Sequence, residues 1–319
     1  MEAKIRIAIL DDYQDIARSI VDWSPLNDIA EITAYHDHMA SESEIITSLL
    51  PYQIISVMRE RMPLNGRVLE QLPNLKLVVS TGPANHSIDI KKAEQLGIAV
   101  RNTGYIPNGA PEMTWGLLLS AARNIPQESA NVKSGKWQQT VGKDLAGQTI
   151  GIIGLGNIGM KVASYAKAFD MKILAWSEHL TDEAAAGAGA QKVSKEELFY
   201  QSDFITIHLP LSDRSRGIIT ARDIASMKPT SILINTSRGP LVNEDALIAA
   251  LVNKQIAGAA IDVFDVEPLN LDHPFRSLEN VIATPHLGFV TENTYRGFYQ
   301  DTVEAITEWF NENNHSTKI

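Results

Sequence analysis

Short apolar runs alternate with amphipathic stretches along nearly the whole chain. Residues 4–10, 29–35, 53–58, 75–80 and 98–102 read as strands, rich in Ile, Val and Leu and bounded by turn formers. Between them, 15–21, 64–72 and 88–96 read as helices. A further helix starts at Ser41, with Glu44 three residues on as the capping partner. Pro73 stops the 64–72 helix and Gly97 closes the 88–96 helix. A turn-rich segment, 103–111, leads to a long expected helix over 112–133, on which Trp115, Leu118, Leu119 and Ala122 share a face. A second series follows, with strands expected at 150–153, 172–176, 204–207, 231–235, 257–262 and 281–283. Residues 184–190 read as a small-residue connection, and a final helix is expected over 292–311.

Regular β/α alternation implies parallel sheets with helices on both faces. The expected class is α/β, with two Rossmann-like or flavodoxin-like doubly wound parallel-sheet domains and a cleft between them. The second series is complete by about residue 290, which leaves the last helix to return to the first series. The expected division is therefore a discontinuous substrate-binding domain, 1–104 with 291–319, and an inserted dinucleotide-binding domain, 105–290. The cleft is the natural substrate site.

The strand at 150–153 runs into Gly154, Gly156 and Gly159, spaced G-x-G-x-x-G, and then into a helical stretch. In this setting the first glycine permits the tight turn, the second lets backbone approach a pyrophosphate, and the third lets helix and strand pack closely. The helix N-terminus favours the negative charge.

Composition narrows the partners. The chain has 319 residues, 44% hydrophobic and 21% charged, with a net charge of −10. That charge argues against nucleic acid or an anionic membrane surface as the main partner. With no cysteine, disulfides, thiolate metal sites and cysteine nucleophiles are excluded. The start enters a strand without a signal-peptide pattern, and no apolar run reaches membrane-spanning length, so a cytoplasmic protein is expected. No carboxylate–histidine spacing argues for a metal; Asp11 and Asp12 resemble a metal cluster only superficially. His36, His38, His179, His273 and His315 occupy polar or terminal contexts and receive no role.

Three later strand ends carry polar residues: Thr236, Ser237 and Arg238; Asp262 through Glu267; and Thr284 through His286. Ligands bind at the carboxyl edge of such sheets. An arginine, a carboxylate and a histidine on that edge suit hydride transfer at a hydroxyl-bearing carbon. Histidine takes or gives the hydroxyl proton near neutral pH, a carboxylate orients it and favours imidazolium, and arginine grips a substrate carboxylate in two parallel hydrogen bonds.

These segments, with His208-Leu209-Pro210 and the glycine turn, resemble the D-isomer-specific 2-hydroxyacid dehydrogenase family from about Leu75 to Gly288, most strongly from Leu145 onward. The resemblance implies that Arg238 binds the substrate carboxylate and carbonyl, that Glu267 pairs with His286, and that His286 is the general acid/base. Asp262 would hold the nicotinamide carboxamide. Cofactor contacts are expected from Gly154, Gly156, Asn157, Ile158, Gly159, Ser177, Glu178, His208, Leu209, Pro210, Thr236 and Asp262. Substrate contacts are expected from Thr81, Gly82, Ala84, Asn85 and Arg238. A homodimer through the dinucleotide domains, aided by 107–145, is also implied.

Two segments depart from the family pattern. Ser177 stands where the family commonly has aspartate, with Glu178 one position later as a substitute. No arginine adjoins Ser177 to bind a 2′-phosphate, though Arg214 and Arg216 follow the next strand. NAD is favoured over NADP. In the first domain, Thr81-Gly82-Pro83-Ala84-Asn85 replaces a glycine–small–glycine turn, and Pro83 has no N–H to offer. The leading reading is an enzyme reducing a 2-oxo acid to a D-2-hydroxy acid. The alternatives are an NAD(H)-sensing, corepressor-like binding protein on the same fold, or a related dehydrogenase acting on a phosphonate or phosphorylated hydroxy acid. The last would use cations such as Arg59, Arg61 or Arg101. Pocket size depends on Arg59, Tyr105, Ile106, Met113 and Phe289.

Overall fold

Five parallel strands make the first sheet, in the order β2-β1-β3-β4-β5: β1 (Ile5–Ile9), β2 (Ala30–Ala34), β3 (Ile54–Val57), β4 (Leu77–Ser80) and β5 (Ala99–Asn102). The computed structural model describes residues 4–315; residues 1–3 and the side chain of His315, both noted above, lie outside the described residues. Helices α1 (Ala17–Ile20), α2 (Glu42–Leu49), α3 (Gly66–Glu70) and α4 (Ile90–Gln95) connect the strands. The side chain of Ser41 accepts the Glu44 N–H at 3.2 Å, while the Glu44 carboxylate reaches back to the Ala40 N–H at 2.9 Å. A core of Leu10, Ile45, Val57, Leu69 and Val78 lies between strands and helices.

The second sheet has seven strands, all parallel, ordered β12-β11-β10-β9-β6-β7-β8. They are β6 (Thr149–Ile153), β7 (Lys172–Trp176), β8 (Gln191–Lys192), β9 (Phe204–Ile207), β10 (Ile232–Asn235), β11 (Gly258–Ile261) and β12 (Val281–Ala283). Burial on both faces explains why these strands read as continuous apolar runs. Ile205, Ile207, Leu233 and Ile261 pack on one face. Their neighbours Phe204, Ile234 and Ala260 pack on the other, with Ile150 and Ile152. Helices α5 (Gly109–Ala122), α6 (Ile125–Lys133), α7 (Asn157–Ala168), α8 (Asp182–Gly187), α9 (Lys195–Gln201), α10 (Ala221–Ala225) and α11 (Glu244–Val252) belong to this series, and α12 (Glu292–His315) ends the described chain.

The chain divides into two compact units, residues 1–106 with 291–319, and 107–290. α12 belongs to the first, where Tyr295 stacks with Tyr299 at 5.9 Å and Arg296 donates to the Ile20 carbonyl.

Three sequence expectations change. The single helix over 112–133 is two, α5 and α6. Asn124 sits between them at φ +51, and Pro126 stands in the first turn of α6. Proline lacks the N–H an uninterrupted helix needs and is tolerated only in a first turn, which is where Pro126 stands. The first half of the small-residue connection belongs to α8, whose N-cap Thr181 accepts the Ala184 N–H at 3.2 Å. Finally, the two-residue edge strand β8 is too short to leave a periodic signal.

Candidate active site

The turn after β6 shows three glycines with three different reasons. Gly154 has φ +92, and a Cβ there would lie 2.7 Å from the His208 carbonyl oxygen. A Cβ on Gly159 would lie 2.1 Å from the Gly154 oxygen. Gly156 has no such neighbour: a Cβ there would meet nothing within 4 Å. The first and third glycines are required by packing, whereas the second leaves open space beside the start of α7. Gly156 is also the N-cap of α7, and no side chain caps that end. The helix start thus offers N–H groups and positive dipole to an anion, and the residues fit a dinucleotide pyrophosphate.

The other side chains of interest follow β10, β11 and β12. His286 Nδ1 lies 2.6 Å from Glu267 Oε2, and Glu267 Oε1 accepts the Phe264 N–H at 2.9 Å. The peptide bond between Glu267 and Pro268 is cis. Burial alone would raise the Glu267 carboxyl. The His286 hydrogen bond and charge, the Phe264 N–H and the charge of Arg238 outweigh it and hold the group below the usual carboxylate value. His286 has φ +54, and its ring meets Phe289 edge-on at 5.4 Å. With Nδ1 engaged by Glu267, Nε2 is the nitrogen left for a reacting oxygen.

Asp262, fully buried, fixes the histidine loop from beneath. Its Oδ1 accepts from the Thr284 hydroxyl at 2.6 Å and the Leu287 N–H at 2.8 Å, and its Oδ2 accepts from the Gly288 N–H at 2.8 Å. Burial pushes its carboxyl up despite these bonds. The bracketed loop, residues 284–288, carries His286 in a left-handed conformation that an isolated histidine rarely adopts. Thr284 lies within a motif quoted from the sequence, but its service to Asp262 has no sequence signal of its own.

Arg238 is held by its local backbone. Asn235 Nδ2 donates to the Arg238 carbonyl at 2.9 Å, and Asn235 Oδ1 accepts the Ser237 N–H at 3.0 Å. Ser237 donates to the Leu209 carbonyl at 2.6 Å, joining this loop to the one after β9. Gly239 permits the approach to the Glu267 loop: a Cβ there would lie 2.1 Å from the Phe264 carbonyl carbon. Thr236 is buried and shares a 2.6 Å hydrogen bond with Thr114 of α5. His208 begins the 208–210 loop, and its N–H donates to the Ile153 carbonyl at 2.7 Å. Its Nε2 is buried without a hydrogen-bond partner among the described residues. Burial drives the imidazole down to about 3, so the ring is neutral.

In the first unit, the 81–85 loop uses many of its own donors. The Gly82 N–H goes to Thr103 Oγ1 at 2.7 Å, and Asn85 Nδ2 goes to the Arg59 carbonyl at 2.6 Å and Ser80 Oγ at 3.0 Å. The Thr81 N–H donates to the Val57 carbonyl at 3.0 Å. Among the described residues the Ala84 N–H has no hydrogen-bond partner. Arg59 has φ +53 and lies over the Tyr105 ring, 5.6 Å from its centre. Gly82 has φ +87, the left-handed region that favours glycine, and the end of the Arg59 side chain lies over its Cα.

Asp12, Asp15 and His36 bring potential metal-ligand atoms within 4.8 Å of one another. Helix geometry accounts for the buried member, since the Asp12 carboxylate accepts the Ile16 and Ala17 N–H groups, each at 3.1 Å. Among the described residues, no helix is long and apolar enough to cross a membrane.

A glycine turn that leaves the start of α7 open to an anion stands in the same unit as a histidine–carboxylate pair and an arginine at strand ends, an arrangement that fits a nucleotide-binding domain. Comparison with known proteins makes this specific. The family model for the D-isomer specific 2-hydroxyacid dehydrogenase NAD-binding domain matches residues 115–288. The chain is 36% identical over 281 residues to a hydroxypyruvate reductase of Thermotoga maritima, covering 86% of this chain and 90% of that one. It is 39% identical over 237 residues to a glyoxylate reductase of Aeropyrum pernix, covering 71% of each. A crystal structure of a phosphoglycerate oxidoreductase from Vibrio cholerae O395 superposes with a TM-score of 0.92 at 36% identity, covering 97% of this chain and 99% of that one. The chain belongs to the D-isomer specific 2-hydroxyacid dehydrogenase family, and NAD is the cofactor of that family's matched domain.

Proposed function

We propose that this protein reversibly reduces a small 2-oxo acid to the D-2-hydroxy acid, with His286 as acid/base, Glu267 as its partner and Arg238 as the carboxylate clamp. The observation that carries the assignment is the 2.6 Å His286–Glu267 pair. Bound NADH supplies the hydride that C2 of the oxo acid accepts. As the C=O π pair becomes an O–H bond, His286 Nε2 gives its proton to that oxygen. Glu267 balances the imidazolium that precedes transfer, and Arg238 holds the carboxylate in a two-bond fork. In the oxidative direction the same proton returns to Nε2. Gly154, Gly156, Asn157, Ile158 and Gly159 receive the pyrophosphate, and Ser177 and Glu178 flank the ribose. The 208–210 loop, Thr236 and Asp262 complete the cofactor contacts. In the first unit the proposed substrate donor is the Ala84 N–H, and Thr81, Gly82 and Asn85, whose own donors are engaged within the protein, shape the loop that presents it.

NADH oxidation with glyoxylate, hydroxypyruvate, pyruvate, phosphohydroxypyruvate and bulkier oxo acids tests this reading. Turnover with at least one is expected. Clear NADH binding without turnover of any would replace the enzyme with the nucleotide-sensing alternative.

A homodimer is supported by the surface of the second unit. No residue of α6 is buried, and Ile125, Val132, Trp137 and Val141 are exposed there, a concentration of apolar surface that suits an interface. A solution mass of one chain, about 35 kDa, would refute it. A cytoplasmic location is proposed with it; recovery of the protein solely from a compartment without NAD(H) would refute it.

A further inference from the structure

We infer that this chain discriminates only weakly between NADH and NADPH, because the residue set opposite the glycine turn is the uncharged Ser177. The inference rests on the dinucleotide reading of that turn. Strand register fixes the position. Ile153 of β6 pairs with Trp176 of β7, and the Gly154 N–H donates to the Trp176 carbonyl at 2.8 Å. Ser177 is therefore the first residue beyond the strand, level with Gly154. An acidic residue at this strand end hydrogen-bonds the adenosine ribose hydroxyls, and its charge excludes a 2′-phosphate. A serine hydroxyl can donate to a ribose hydroxyl or to a phosphate oxygen. It brings neither the repulsion nor the paired acceptor oxygens of a carboxylate.

The neighbouring charges do not restore selectivity. Glu178 follows in a turn closed by the Leu180 N–H on the Ser177 carbonyl at 3.2 Å. Its side chain is 66% exposed, with His179 Nε2 3.9 Å away. A solvated carboxylate beside a histidine repels a nearby dianion far less than a buried one. Nor is a dedicated phosphate clamp present in this segment. Lys195 lies over the Trp176 ring, 5.7 Å from its centre, but its ammonium is engaged by Asp223 Oδ2 at 2.6 Å and by the Ile218 carbonyl. Its charge is already balanced and its position fixed. Among the described residues the end of β7 thus brings no strong term for or against a 2′-phosphate, and Arg214 and Arg216, which follow β9, are exposed.

The test is equilibrium titration of the full-length protein with NADH and NADPH, followed by nicotinamide fluorescence. Competition by ADP-ribose and its 2′-phosphate isolates the adenosine end. The two dissociation constants should differ by less than about tenfold. Ser177→Asp should weaken NADPH at least about tenfold more than NADH, while Ser177→Asn, of similar size but neutral, should keep the wild-type ratio. A wild-type preference for NADH beyond about tenfold would overturn the inference, as would an unchanged ratio in Ser177→Asp. NADH binding with NADPH excluded would sink this inference alone. Failure to bind either nucleotide would sink the dinucleotide reading with it.

Discussion

Gly156→Ala and Gly159→Ala should separate cofactor binding from folding, although the two changes are chemically identical. At Gly156 the backbone has φ −84, which alanine adopts freely, and the new methyl meets no protein atom within 4 Å. Alanine is a poorer N-cap than glycine, but it restricts the unfolded chain. These opposed effects leave stability within about 0.5 kcal/mol of wild type. The methyl instead occupies the open space beside the start of α7, where the proposed function puts the pyrophosphate. Loss of one charge-assisted hydrogen bond there costs roughly 1.5–3 kcal/mol, about ten- to hundredfold in NADH affinity. At Gly159 the Cβ would lie 2.1 Å from the Gly154 oxygen, a backbone atom that no rotamer change can move. α7 must then retreat from β6, at roughly 1–3 kcal/mol. Thermal unfolding with and without NADH, together with fluorescence titration, reads both quantities. Gly156→Ala should lose affinity at unchanged melting temperature, and Gly159→Ala should lose both. Undiminished NADH affinity in Gly156→Ala would refute the open-space argument, and an unaltered melting temperature in Gly159→Ala would refute the packing argument.

Other perturbations address the chemistry. His286→Ala should lower kcat by about 10²–10⁴ while NADH titration stays near wild type; near-normal turnover would remove His286 from the acid/base role. Arg238→Ala should raise KM for the oxo acid and lower kcat, with Arg238→Lys recovering little because the planar fork is lost; unchanged steady-state constants in either variant would rule out the clamp. His208 bears on pH dependence. Its native value, about 3, lies below that of an unfolded histidine, so the unfolded state takes up a proton that the native state refuses. Stability should be unaffected above about pH 6.5 and fall progressively below it, by about 2 kcal/mol at pH 5. Denaturant titrations of His208→Leu at pH 7 and pH 5 should show a smaller decline than wild type; an equal decline would assign the acid sensitivity elsewhere.

The fold was legible because its strands are short, apolar and evenly spaced by helices, and because burial on both faces keeps each run continuous. Legibility failed where a local exception interrupts the pattern. The break at Asn124 depends on a left-handed residue and a proline two positions later, against an apolar periodicity that continues into α6. α8 was hidden because alanine and glycine give no amphipathic contrast, so only the Thr181 cap marks its start. β8 pairs through just two residues, and its membership of the sheet comes from β7 rather than from its own composition.

The site was legible in a narrower sense. Motif residues identified the strand ends, and the structure adds the connections among them. Gly239 is required by the backbone of residues 264–265; Ser237 joins Arg238 to the 208–210 loop; Asp262 engages three groups on either side of His286. These are contacts between segments tens of residues apart, and no periodicity encodes them. The loop after β4 shows the opposite error of inference. Residue types there suggested several donors, but Thr103, Ser80 and the Arg59 carbonyl already engage the Gly82 N–H and the Asn85 amide. A donor's identity can be read from sequence, whereas its availability depends on what the fold has set beside it. The same distinction governs cofactor choice: register brings Ser177 level with Gly154, while the Glu178 side chain, one residue on, is 66% exposed.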